Sequence, residues 1–168
     1  MAESYREDIL VQIVSVLGGL SGARHWGGAY LPAAPPLCER DYEEPLTFVR
    51  LPHLAVSEID GSEFARPGDA QVSSGFGISG GVGYRDHVAV GVWGYVVATP
   101  GVRVGTWLQR LWWDVIVTLK ANRTLGGRTN EIEFGRQALG IHHAQNGVAW
   151  FGQELSLIVD PVVIPVEV

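Results

Sequence analysis

Among the 168 residues there is one cysteine and one methionine, and only 18% are charged. Cys38, being alone, excludes an internal disulfide and any zinc site built on cysteines. It fits a reducing cytoplasm, as a packed and inert thiol. Long apolar runs are also missing. The longest uncharged apolar run, Val88 to Ala98, falls far short of the roughly 20 residues that span a bilayer, so no membrane protein is expected. Residues 1–8 carry three acids and an arginine, where a secretory signal would be basic and then apolar. Basic density is absent too. The net charge is −6; residues 1–69 hold 11 acids against 5 bases, and residues 70–168 hold 7 of each. That argues against a protein that grips nucleic acid. It leaves open a protein that DNA must pass without sticking.

What the sequence does have is apolar mass. Hydrophobic residues make up 46%, with six tryptophans, enough for one core-bearing domain over 1–168 and for apolar surface left to a partner chain. Ser4 followed by Glu7 has the form of a capping box. Ile9, Ile13, Val16, Leu17 and Leu20 then recur at helical spacing, predicting a helix over about 4–19. Residues 21–45 read as loop, with a short strand from Leu46 to Leu51 stopped by Pro52 and a weaker one at 54–60. The stretch 61–86 alternates glycine, serine and single apolar residues, and reads as a flexible insertion or an extended hairpin arm.

His87 to Ala98 is the clearest strand. Val88, Val90, Val92 and Val96 point one way, and Trp93, Tyr95 and Val97 the other, so both faces are apolar and the strand should be central. A second helix over about 103–122 follows from the unbroken stripe Val104, Trp107, Leu108, Leu111, Trp112, Val115, Ile116 and Leu119. Strands are expected at 131–134, 137–144 and 148–159, the last two joined through Asn146-Gly147, a strong hairpin signal. The order helix, strands, helix, strands predicts an α+β fold: two helices packed on one face of a mostly antiparallel sheet.

The chemical inventory is nearly empty. Gly75-Phe76-Gly77-Ile78-Ser79-Gly80 matches G-x-G-x-x-G, but dinucleotide binding needs a strand before it and a helix opening after it, and here a strand follows. His142 and His143 are adjacent on a predicted strand and so point to opposite faces, which prevents both from holding one metal ion. No nucleophile–base signature, P-loop or metal spacing is found. No catalytic residue, cofactor or metal is therefore assigned, and an enzyme is not expected.

Three features point to partners instead. All the excess acid lies in the first 69 residues, with clusters at Glu39, Asp41, Glu43 and Glu44 and at Glu58, Asp60 and Glu63. These are read as acidic loops that line a channel or face another chain. On the second helix, Trp113 and Val117 fall roughly 150–170° from the apolar stripe; they are candidate subunit-interface residues, with Trp113 as anchor. Beyond the last strand, residues 161–168 form an extended C-terminal tail. Val162, Val163 and Ile164 lie between two prolines that forbid a helix, and they are taken as a further interface segment.

The arrangement resembles the tail terminator (tail completion, minor tail) proteins of long-tailed bacteriophages. The resemblance is carried by the opening helix with Tyr5-Arg6-Glu7-Asp8-Ile9-Leu10, the strand ending before Pro100-Gly101, and the helix running into Thr118-Leu119-Lys120-Ala121-Asn122-Arg123-Thr124-Leu125-Gly126-Gly127. It covers about 4–20 and 87–160. What the resemblance implies is a non-enzymatic virion protein at the neck end of the tail, assembled in the host cytoplasm. It forms a homo-oligomeric ring, usually six-fold, on the last ring of tail tube protein. It stops tube growth and meets the head-tail connector protein, while DNA passes through the centre without specific binding. A neck adaptor or stopper is the alternative in the same class. A small hydrolase or nucleotide-binding domain using the 75–83 loop is the alternative in another.

Overall fold

A computed structural model describes residues 5–20, 26–31, 36–40, 51–59, 63–64, 81–142 and 147–165. Its elements are α1 (Tyr5–Leu17), β1 (Leu37–Arg40), β2 (His53–Glu58), β3 (Glu63–Phe64), β4 (Gly81–Val97), α2 (Val104–Ala121), a 3-10 turn at Leu125–Gly127, β5 (Glu131–His142) and β6 (Val148–Pro165). The fold is α+β, as the element order predicts. The strands run β1-β2-β4-β6-β5, with β3 also pairing β4. All neighbours are antiparallel except β1 and β2, which are parallel. Among the described residues, no helix is long and apolar enough to cross a membrane.

Alternation along the central strands sets which face is covered. Val88, Val90, Val92 and Val96 of β4 are buried, and pair in register with Leu157, Leu155, Gln153 and Ala149 of β6. Both helices lie on this face, α1 over β1 and β2, α2 over β4 and β6. Helix α1 contributes Ile9, Leu10, Ile13 and Leu17, and α2 contributes Trp107, Leu108, Leu111, Val115 and Leu119, to one shared core. Each of the aliphatic side chains, fully buried, contributes about 1.5–3 kcal/mol before the entropy of ordering it. The chain leaves α2 through Gly126 and Gly127, whose φ values of 67° and 88° are costly for any residue with a Cβ.

Several expectations need correction. The interval 21–45 is not all loop: Leu37–Arg40 is a strand, and Tyr30 is fully buried. A four-residue strand that forms only by pairing with β2 leaves no periodicity of its own. Within 61–86, Glu63–Phe64 and Gly81–Asp86 are strand; positions 61, 62 and 65–80 lie outside the described residues. So do 46–50, most of the expected first strand, and Ser4 of the capping box. The separate strands at 131–134 and 137–144 are one strand, β5, with a bulge between Phe134 and Gln137. Strand β4 begins six residues earlier than predicted, because β6 continues opposite it and supplies the ladder: Gly81 to Tyr84 pair with Pro165 to Val162. The tail 161–168 is therefore strand as far as Pro165.

Candidate interaction surfaces

Helix α2 has two distinct sides. Its inner side carries the buried stripe and, unusually, Asp114, which is fully buried. Asp114 is satisfied from the preceding loop: the Tyr30 hydroxyl donates to its Oδ2, and Trp26 Nε1 donates to the same oxygen at 3.2 Å. Burial, and then the hydrogen bond to Asp114, push the Tyr30 phenol far above its ordinary pKa. Trp26, Tyr30 and Trp107 pack edge-on or tilted, and the Arg110 guanidinium sits 4.4 Å from the Trp26 ring centre. This group pins residues 26–30 to α2 and is structural. On the outer side, Trp113 is 51% exposed and Val117 is half-buried. Lys120, seven residues after Trp113, is exposed on the same side.

The face of the sheet away from the helices is the second surface. Alternation sends Trp93 and Tyr95 of β4, and Trp150, Gly152 and Glu154 of β6, to this side. Both tryptophans lie down over glycines. A Cβ on Gly91 would stand 2.3 Å from the Trp93 ring, and one on Gly140 would stand 2.5 Å from Trp150. The rings are thus part of the floor and walls of a shallow depression of about 570 Å³, whose lining includes Gly91, Gly152, Ala138, Arg136 and Glu154. Arg136 arrives there through the β5 bulge. Gln153, buried on the helix side, steadies that bulge: its Nε2 donates to the Gly135 carbonyl at 3.2 Å while its Oε1 accepts from Trp112 Nε1 at 3.0 Å. Sequence reading identified the outward residues of β4 but not this depression. The signal was the pairing of each tryptophan with small residues on the next strand, visible only once the register is known.

The predicted acidic residues are divided. Glu39 is on β1 and lies 3.0 Å from Nε2 of the buried His53. Glu58 is on β2 and pairs with Arg6. These two are strand residues with cationic or imidazole partners, not loop residues. Glu63 is in β3, opposite His87. Asp41, Glu43, Glu44 and Asp60 lie outside the described residues. Of the predicted tail segment, Val162, Val163 and Ile164 pair with Tyr84, Gly83 and Val82 of the same chain. Their backbones are committed to their own sheet on that side, as far as Pro165.

Among the described residues, no group of three or more His, Cys, Asp or Glu is placed to hold a metal ion. The 75–80 part of the glycine-rich motif lies outside the described residues; strand β4, not a helix, begins at Gly81. Cys38 is half-buried, and burial foremost, with Glu39 adding, pushes its thiol up to about 12. Such a thiol carries almost no thiolate near neutral pH and is a poor nucleophile. Compared with known proteins, the sequence matches no family model and no curated protein.

Proposed function

We propose that this protein is a structural component of a bacteriophage tail, a terminator that forms a ring on the end of the tail tube, stops its growth and joins it to the head-side connector while DNA passes through. The observation that carries the reading is Trp113. A large apolar side chain stands 51% exposed on a helix whose other side is already fully buried. Its ring leans on Trp112, with 6.0 Å between ring centres, and still leaves half its surface to water; tryptophan is among the residues enriched at interface hot spots. The sequence resemblance to tail terminators supplies the kind of assembly, and the net acid of the first 69 residues suits a path that phosphate must pass. No reaction is assigned to the chain.

The test is the state of the full-length protein in solution and its effect on tubes. Native mass spectrometry and negative-stain microscopy should find closed rings, and added rings should halt the elongation of purified tail tube protein. A monomer or dimer that instead binds a nucleotide in a titration would replace this reading with the nucleotide-binding one.

A further inference from the structure

We infer that the ring closes by a face-to-back contact, in which the outer side of α2 from one copy docks onto the helix-free face of the sheet of the next. This deepens the ring reading and rests on it. The two surfaces are on opposite sides of one molecule, because α2 packs against β4 and β6 from the covered face. A contact between opposite sides is heterologous, and repetition of a heterologous contact closes a ring when its rotation divides a full turn and otherwise runs on as a filament, so the ring reading requires a rotation that closes.

The surfaces match in shape and in charge. The helix offers one projecting indole, Trp113, and the sheet offers a depression floored by glycine and walled by Trp93 and Trp150. Aromatic rings that meet offset or edge-on gain beyond their area alone. Around Trp113 and the ends of α2 stand the exposed cations Arg103, Lys120 and Arg123, and the one acid within the helix, Asp114, is fully buried. Among the described side chains on the β5–β6 half of the sheet face, three exposed acids, Glu131, Glu133 and Glu154, stand against Arg136. The helix side therefore carries only cations, Lys120 near Trp113 and over the Phe134 ring, Arg103 and Arg123 about 15 Å from it along the axis, and it meets a half-sheet with more acid than base. That complementarity favours a second copy of this chain over an acidic partner such as nucleic acid, which the three glutamates would repel.

The experiment uses two full-length variants, each with one side of the contact removed at exposed positions: Trp113→Glu on the helix side, and Glu133→Lys with Glu154→Lys on the sheet side. Near-ultraviolet circular dichroism checks that both are folded, and sedimentation velocity with native mass spectrometry reads assembly. Each variant alone should associate more weakly than the parent chain by roughly thirtyfold or more, the loss expected at a hot spot. An equimolar mixture should give one-to-one heterodimers and no rings, since only one of the two possible contacts is intact. If the sheet-side variant, and Trp150→Ala beside it, still form rings like the parent chain, the face-to-back contact is wrong while the ring reading stands. A mixture that stays monomeric also overturns it. A parent chain that is monomeric at every concentration overturns both.

Discussion

Arg6 of α1 grips Asp86 of β4 with two bonds, from Nε to Oδ2 at 2.8 Å and from Nη2 to Oδ1 at 2.7 Å, across 80 residues of chain. Asp86 is fully buried, and Tyr5 donates its hydroxyl to the same carboxylate. Arg6 also reaches Glu58 on β2. The first turn of α1 is thereby tied to two strands, which orients the helix over that end of the sheet. Removing Arg6 leaves a buried carboxylate uncompensated. Arg6→Ala should therefore destabilise by about 3–5 kcal/mol, and Asp86→Asn, which leaves a partly exposed guanidinium behind, by less. Urea unfolding midpoints at unchanged slope measure the order.

Alkaline pH should weaken the fold through groups held neutral. Burial, followed by the Asp86 hydrogen bond, raises the Tyr5 phenol from 10.0 to about 12, and burial raises the Cys38 thiol from 9.0 to about 12. A pKa higher in the folded than in the unfolded chain favours folding fully below the unfolded value and is lost as pH climbs through the folded one. Stability should accordingly be flat to about pH 9 and fall between about 9 and 12. Tyr5→Phe should flatten the upper part of that fall in a series of urea midpoints, and a fall equally steep without Tyr5 would assign it elsewhere. Iodoacetamide at pH 8 should label Cys38 slowly in the folded protein and rapidly in urea.

Tyr30→Phe removes a buried donor from the fully buried Asp114 and leaves Trp26 Nε1 as its remaining donor from the 26–30 loop. A loss of about 1–3 kcal/mol is expected, with faster amide exchange at residues 26–30 as the local readout.

Two glycines separate packing from propensity. A Cβ on Gly94 would stand 2.1 Å from the Phe151 ring in the core, so Gly94→Ala should cost about 1–3 kcal/mol by forcing that ring aside. Gly105, near the start of α2, is exposed with no atom within 4 Å of its Cβ position, so Gly105→Ala should stabilise by about 0.5–1 kcal/mol. Thermal midpoints of the two variants should move in opposite directions.

The proposed function makes its own demand on the acidic segment. Glu43→Lys with Glu44→Lys reverses two charges in the run that concentrates the net acid. If that run faces the DNA path, phage carrying the variant should assemble normally and eject DNA more slowly, measured by dye uptake into the released genome. Unchanged ejection would remove these residues from the channel.

Elements whose side-chain period is complete within themselves were readable from the chain alone. The stripe of α2 places Trp107, Leu111, Val115 and Leu119 inward and Trp113 outward because 100° per residue leaves no other arrangement, and the valines of β4 sort by simple alternation. Both helices, β4, β6 and the α+β class followed from that. Strand β1 was not readable: Leu37–Arg40 shows no pattern until β2 lies beside it in parallel register. The backward extension of β4 to Gly81 likewise exists because β6 runs opposite it. The burial of Asp86 and Asp114 was hidden for the same reason. A carboxylate alone in a sequence reads as surface, and only tertiary contact with Arg6, Tyr5, Tyr30 and Trp26 supplies the hydrogen bonds that allow it inside. Trp93 and Trp150 became a surface in the same way, since the pairing of strands brings Gly140 beneath the Trp150 ring and Gly152 against Trp93.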